Sequence, residues 1–562
     1  MIKIAVMPSK QIKRTKNSIY VKFDYDPEVL DIIKAFPKRY YHSDIKAWEV
    51  HTKFFLDLLN AFRNYEVSII GELPKELDKK LQLADEFDSI PLKKYCSKTE
   101  PFAHQLESYE YAKYNHKFIL GDEQGLGKTK QAIDIAVGYK GKFKHCLIVC
   151  CVNGLKWNWL SEIGIHSNEK GHILGSYTNK VGKVVEGSVS RRLEDLGNDL
   201  QEYFLITNIE TLRNADICAK LNKMCEDGTI GMVITDEIHK CANSTSKQGK
   251  GIHKLTSYYK IAMTGTPLMN TPIDLYSILK WVGAEHHSLT EFKSYYCELG
   301  GIGSNDIIGY KHLPELEKTL NSVMLRRRKD EVLDLPPKIR TIEYVEMNKE
   351  QDKLYKEVLN NISENIDKIC LMPNPLVELI RLRQCTGNPN ILSSKCTKSV
   401  KFDRMVELVQ ECADNNEKVI VFSNWTSVIN PAYELLKKFN PALITGEVKD
   451  RQSQERKFQK DNSCKVILGT IAAMGTGLTL TQASTVIFLD SPWNMSNKEQ
   501  AEDRAHRIGT TKPVNIITLV CKGTIDERIE SLIQYKSGLS DALVDGKGFE
   551  KIDKNTLNYL IS

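Results

Sequence analysis

Residues 121–129 read GDEQGLGKT. The second half is the ending of a phosphate-binding loop. In the G-x-x-x-x-G-K-[ST] pattern the first glycine stands five residues before the last, and here that position holds Asp122. The stretch follows an apolar run, KFIL (117–120), and opens a helical one, KQAIDIAVGY (130–139). In that context the backbone N–H groups of the loop and the helix start point at one anion. Gly125 and Gly127 let the backbone approach closely. Lys128 is expected on the β/γ-phosphates, and Thr129 on Mg²⁺ through its hydroxyl. The nucleotide stretch is thus Asp122, Glu123, Gln124, Gly125, Leu126, Gly127, Lys128 and Thr129. Whether Asp122 marks damage or design depends on the other parts of the chain.

A nucleotide loop needs a metal-holding acid and a water activator. GMVITDEIH (231–239) is an apolar run ending in two carboxylates. Asp236 is placed to hold Mg²⁺, and Glu237 to orient and deprotonate the attacking water. His239 follows closely and is placed to couple the nucleotide to a neighbouring loop. IAMTGTP (261–267) ends another buried run with Thr264, Gly265 and Thr266. Near the end of the chain, Gln500, Arg504 and Arg507 stand at i, i+4 and i+7, on one face of an expected helix. Two arginines beside a glutamine can stabilise charge on a γ-phosphate in the transition state.

The surrounding pattern is that of an α/β protein. Apolar runs at 117–120, 145–151, 203–207, 231–235 and 260–263 alternate with helical stretches. A second set lies at 418–422, 441–445, 464–468, 485–489 and 514–520. Strands apolar on both faces and separated by helices predict parallel sheets, here in two tandem lobes. Between the sets the pattern turns helical, with a long amphipathic candidate at 348–369. The polar, proline-punctuated stretch 71–100 reads as a linker. The expected domains are 1–85, a small α+β module; 86–270, the first lobe; 271–398, helical insertions and an inter-lobe linker; 399–530, the second lobe; and 531–562, a helical tail.

Bulk properties restrict the class of protein. The 562 residues carry 41% hydrophobic and 27% charged side chains, ordinary for a globular chain. No apolar run has the length of a membrane span, and no signal peptide is visible. The 14 cysteines are scattered without C-x-x-C pairs, which fits an intracellular, reducing compartment and neither a disulfide framework nor a zinc site. That would be the cytoplasm of a prokaryote or of a virus's host, or a eukaryotic nucleus. The net charge of +6 permits a nucleic-acid partner without demonstrating one.

Read together and in order, these motifs resemble the Swi/Snf-like branch of the superfamily-two helicase-fold motors. The resemblance runs from PFAHQ (101–105) and DEQGLGKT through LIVCCVNGLKWNWLSEI (147–163), FLITNIETL (204–212), DEIH and MTGTPLMN. It continues through LRRRKDEVLDLPPK (325–338), LRQCTGNPNIL (382–392), VIVFSNW (419–425) and the arginine-bearing run, and covers about 100–530. The branch commonly carries aspartate where Asp122 stands. The resemblance implies two RecA-like lobes and a DNA-dependent ATPase that translocates on DNA and remodels or anneals it, with no nuclease of its own. It implies that Gln105 reads adenine, that Gly475 and Gln500 join the nucleotide site, and that Trp159, Thr207, Ser423 and Thr470 contact DNA. It also implies ATP and Mg²⁺ as cofactors and a monomer on duplex, forked or partly single-stranded DNA. Two departures stand out: RIGT (507–510) where the branch ends in R-I-G-Q, and GTGLTL (475–480) where an asparagine is common.

The segment FDYDPEVLDIIKAFPKRYYHSDIKAWEV (23–50) is similar to the HARP-like substrate-recognition module of annealing helicases. Lys22, Arg39, Tyr40, Tyr41, Lys46 and Trp48 are then the candidate DNA contacts, because basic groups grip phosphates and aromatics stack on unpaired bases. Four alternatives stay open at this level. They are a strand-separating helicase, an RNA-directed motor, a nucleotide-gated clamp, and a motor subunit of a defence or repair complex.

Overall fold

The computed structural model describes residues 1–531 apart from 13–15, 90–91, 153, 181, 183, 242, 244–245, 266–271, 301–306, 366–375, 449, 475–477 and 494. Thr266, Gly475 and the tail 532–562 lie outside the described residues. The chain divides into two compact units. One comprises 1–121, 129–267 and 272–326; the other comprises 122–128, 268–271 and 327–562. The phosphate loop therefore clusters with the second unit, although both its flanking elements belong to the first.

The first unit begins with a five-stranded sheet in the order Tyr40–His42, Ala47–His51, Asn17–Lys22, Ile2–Pro8 and Val67–Ile70. Its pairings are antiparallel except the last, which is parallel. Helix Pro27–Lys34 starts at Asp26, whose carboxylate accepts from the N–H groups of Glu28 and Val29. Its buried Val29 and Ile33 pack with Ile4, Ile19, Val21, Phe55 and Leu58. This is the expected small α+β module. It is packed on the rest of its unit, with Phe36 stacked on His286 at 4.4 Å and Asp57 paired to Lys117 at 3.1 Å.

The stretch read as a linker contains helix Lys75–Ser89 instead. Leu77, Leu81, Ala84 and Phe87 recur at helical spacing, and Phe87 enters the core of the following lobe. Short prolines and polar residues at its ends had hidden that face.

The lobe itself is a seven-stranded sheet, entirely parallel in its pairings. The order is Met324–Leu325, Lys117–Leu120, Tyr259–Met263, Ile230–Asp236, His145–Cys150, Phe204–Asn208 and Gly171–Ile173. Its five inner strands coincide with the five apolar runs of the sequence. The two outermost strands are short and were not expected. Strand His145–Cys150 is buried at every position, because helices cover both faces.

The second unit holds a six-stranded sheet, again parallel throughout. Its order is Lys338–Val345, Val514–Cys521, Ala483–Phe488, Lys418–Ser423, Val466–Thr470 and Ala442–Ile444. Strand Lys338–Val345 falls within the segment expected to be helical. Its polar, half-exposed positions belong to a sheet edge, which gives no buried run for a sequence reader to find. The long helix is present as Lys349–Glu364 and packs through Tyr355 and Ile362 against Leu379 and Leu382 of helix Leu376–Gly387. Both sheets are the parallel α/β lobes expected. No helix among the described residues is long and apolar enough to cross a membrane.

In the N-terminal module Glu49 is fully buried and accepts from Ser9 at 2.6 Å and from the His42 ring at 2.7 Å. Burial pushes its pKa up, but the hydrogen bonds from Ser9, His42 and Ser18 outweigh that and hold it at about 2. A carboxyl depressed on folding stabilises above its ordinary value near 4.5, and that contribution is lost as pH falls toward 2. Glu49→Gln is therefore expected to destabilise the module at neutral pH. The gap between variant and parent should close as pH falls through that window, read by denaturant titration at stepped pH.

Candidate functional site

The site is built on strand ends, as parallel sheets allow: their loops emerge at the carboxyl edge and carry the chemistry. Three neighbouring strands of the first lobe lead into GDEQGLGKT, MTG and DEIH. In the phosphate loop Gly125 and Gly127 have φ of +87° and +76°, a region that favours glycine. Gly125 has a second reason to lack a side chain. A Cβ there would lie 3.0 Å from Cβ of Arg507 and 3.2 Å from Cε of Lys329. The Lys128 ammonium donates to the carbonyls of Asp122 at 2.7 Å and Glu123 at 3.1 Å, which curls it back over its own loop. Thr129 follows at the start of helix Lys128–Gly138. Leu126 is fully buried and anchors the loop.

Asp122 is fully buried and is held by Arg327. The guanidinium donates Nε to Oδ1 at 3.1 Å and Nη2 to Oδ2 at 2.7 Å, and the Arg327 N–H donates to Oδ1 at 3.1 Å. The fork geometry matches a carboxylate with two parallel bonds, which a glycine could not offer. The Glu123 N–H donates to the Arg327 carbonyl at 3.0 Å, and the Glu123 carboxylate accepts from the Lys329 N–H at 2.8 Å. The aspartate thus fastens the loop to LRRRK (325–329).

Arg504 and Arg507 stand near the same loop. The helix expected to carry them spans Met495–Glu502 and ends before both. Beyond Glu502 the backbone tightens, with the N–H groups of Arg504 and Ala505 bonded to the carbonyls of Ala501 and Glu502. The two arginines still converge, each donating Nη1 to the Leu478 carbonyl at 3.2 Å. Arg504 Nη2 reaches Gln124 Oε1 at 3.1 Å, a direct link from the arginine run to the phosphate loop. Gln500 is buried, and its backbone carbonyl accepts from Arg504 Nε at 3.0 Å.

In the first unit Asp236 ends its strand, and the Trp159 indole donates to its Oδ2 at 2.8 Å. Trp159, expected at DNA, is fully buried there behind the acid. Glu237 has φ of +54°, a left-handed conformation rare for a non-glycine residue and of the kind stored at functional sites. His239 Nδ1 lies 3.3 Å from Glu237 and 2.9 Å from the Thr264 hydroxyl, which ties DEIH to the next loop. The Gly265 carbonyl accepts from Arg326 at 3.4 Å. Gln105 is buried at the start of helix Ala103–Tyr114, and its side-chain carbonyl accepts from the Phe102 N–H at 3.1 Å.

Among the other residues expected at DNA, Thr207 is buried on its strand and Thr470 ends another. The Ser423 hydroxyl is buried and donates to Asp490, which also accepts from the Asn424 N–H at 2.9 Å. Lys22, Tyr40, Tyr41 and Lys46 are exposed, with Arg39 and Trp48 half-buried. The Tyr41 and Trp48 rings lie 5.2 Å apart.

The sequence reading missed Arg327, Lys329, Asp490 and Arg383. Arg327 and Lys329 lie in LRRRKDEVLDLPPK and Arg383 in LRQCTGNPNIL, stretches that carry the resemblance without assigning these side chains a role. Arg383 is buried with its guanidinium 4.5 Å from the Trp425 ring and 4.9 Å from the Trp493 ring, beside Asp490 at 3.5 Å. No group of three or more potential metal ligands occurs among the described residues.

The lysine-bearing glycine loop, the strand-end acid pair and the paired arginines are all present among the described residues. The family model described as the SNF2-related domain matches residues 64–391, and the helicase conserved C-terminal domain matches 400–509. The chain belongs to the SNF2-related family. An uncharacterized ATP-dependent helicase of Mycoplasma pneumoniae is 28% identical over 513 residues, covering 88% of this chain and 46% of that protein. The ATP-dependent DNA helicase DDM1 of Arabidopsis thaliana is 28% identical over 472 residues, covering 76% of this chain and 59% of that protein. The chain spans about half the length of the curated relatives it matches. A solved structure, the Sulfolobus solfataricus SWI2/SNF2 ATPase core in complex with dsDNA, is 26% identical with a TM-score of 0.37, covering 84% of this chain and 99% of that one. Neither family model reaches residues 1–63.

Asp122→Gly would restore the general loop pattern yet leave Arg327, 8% exposed, without this carboxylate. The variant is expected to lose about 3–5 kcal/mol of stability. The double variant Asp122→Gly, Arg327→Met should recover much of that, read from urea midpoints.

Proposed function

We propose that this protein is a Mg²⁺·ATP-driven DNA translocase that remodels or anneals branched and duplex DNA. The observation that carries the reading is the Arg504–Gln124 hydrogen bond, which joins the arginine run to the phosphate loop in a chain of the SNF2-related family. In this reading Lys128 holds the β/γ-phosphates and Gln105 reads the base. Thr129 and Asp236 hold Mg²⁺, which neutralises phosphate charge when bound. Glu237 takes the proton of the attacking water, and Arg504 and Arg507 stabilise the charge that develops on the γ-phosphate. His239 and Thr264, bonded at 2.9 Å, pass the state of the nucleotide to the loop after strand Tyr259–Met263. Gly475, Gln500 and Thr266 complete these two sets.

DNA is gripped at phosphates by the strand-end loops that hold Thr207, Ser423 and Thr470, which suits a motor because phosphate contacts carry no sequence information. Trp159 and Ser423, both buried, support these loops from behind. The N-terminal module, through Lys22, Arg39 and the Tyr41–Trp48 pair, selects DNA with unpaired bases. Its packing on the motor lobe through Phe36 and Asp57 supports a role in presenting DNA to that lobe.

Lys128→Ala and Glu237→Gln are expected to abolish DNA-stimulated ATP hydrolysis, with full turnover by either variant rejecting the assignment. Rates compared across single-stranded, duplex, forked and RNA ligands should be highest on forked DNA. Tyr41→Ala, Trp48→Ala should remove the preference for forks and leave duplex-stimulated turnover in place. Triplex displacement without strand separation would distinguish translocation from unwinding.

A further inference from the structure

The segment Arg327–Arg340 meets the arginine-bearing run along its length. Lys329 Nζ pairs with Asp503 at 2.7 Å and donates to the His506 carbonyl at 3.1 Å. Lys338 pairs with Glu502 at 3.2 Å and Asp503 at 3.4 Å, and Arg340 pairs with Glu502 at 2.7 Å. The His506 ring meets the Pro336 carbonyl at 2.8 Å. The same segment holds the phosphate loop at its other end through Arg327 on Asp122 and the Lys329 N–H on Glu123.

Lys329 is the residue common to both ends. It is 7% exposed, so its ammonium is costly unless paired. Its two side-chain anchors, Asp503 and His506, immediately precede Arg504 and Arg507. Its Cε lies against Gly125, where a Cβ would approach to 3.2 Å. Burial lowers the Lys329 pKa and Asp503 raises it, while Asp503 is itself held low by Lys329 and Lys338 against its own burial.

We propose that Lys329 is a positioning residue for ATP hydrolysis: it fixes the backbone ahead of Arg504 and of Arg507 relative to the phosphate loop. The inference rests on the arginine roles given above. Lys329 touches no phosphate in this scheme. It acts by adding two long-range anchors to the turn after Glu502, where the backbone is otherwise held largely by local bonds, among them Arg504 N–H to the Ala501 carbonyl and Ala505 N–H to the Glu502 carbonyl.

The test compares Lys329→Met, Lys329→Arg, Asp503→Asn and Arg504→Ala in the full chain, each assayed at a temperature well below its own melting midpoint. Lys329→Met is expected to lower DNA-stimulated kcat by about 10- to 100-fold with KM for ATP changed by less than about 3-fold. Affinity for ADP with aluminium fluoride should fall relative to affinity for ADP alone. Asp503→Asn, which preserves shape, should give the same pattern, and the double variant Lys329→Met, Asp503→Asn should lose little more than either single. Lys329→Arg should recover much of kcat. A kcat for Lys329→Met and Asp503→Asn within about 2-fold of the parent, or a loss confined to KM, overturns the proposal if Arg504→Ala is inactive. Full turnover by Arg504→Ala would instead overturn the arginine reading on which it stands.

Discussion

The buried pair of Asp122 and Arg327 is the constraint on which the nucleotide loop depends. A carboxylate with no exposed surface stands where phosphate loops generally have glycine, and it persists because a guanidinium meets both of its oxygens. Removing either partner would strand a charge in a poorly hydrated interior. Through this pair the loop is tied to residues two hundred positions away in the chain. Lys329, two residues on, carries the tie to the arginine run. Loop and arginines are thereby set by one segment.

A similar economy holds the acid box. Glu237 sits in a left-handed conformation that a side chain rarely adopts, with Asp236 bonded to the Trp159 indole and His239 bonded to Thr264. These contacts over-determine the turn and allow the strain to persist. In the second lobe Asp490 plays an equivalent part for the loop after strand Lys418–Ser423. It gathers Ser423, Asn424 and the guanidinium of Arg383, which is itself enclosed by two tryptophans. Arginine suits that position because its flat, weakly hydrated cation stacks on aromatic faces.

The core of each lobe was legible in the sequence because all-apolar strand runs are long and are bounded by turn residues. Runs such as KFIL and KVIVF could only be buried, and each became a central strand. The edge strands Gly171–Ile173 and Met324–Leu325 were not legible because they are short, and Lys338–Val345 because its residues are half-exposed and mostly polar. Helix Lys75–Ser89 was missed for a related reason: its apolar residues are shared between two cores, Leu77 and Leu81 with the N-terminal module and Leu83 and Phe87 with the following lobe, and its composition alone reads as linker.

By itself the sequence determined the phosphate loop, the acid pair, the identity and order of the motifs, and the two-lobe α/β plan. These are local properties: glycine at positive φ, a carboxylate at the end of a buried strand, and hydrophobic periodicity. Only the tertiary structure decided what each charged residue does. RRRK reads the same whether it faces water or closes on Asp122 and Asp503. Trp159 reads the same whether it lies on a surface or behind Asp236. Burial and pairing of charge depend on partners supplied by distant segments, and that information is absent until the chain has folded.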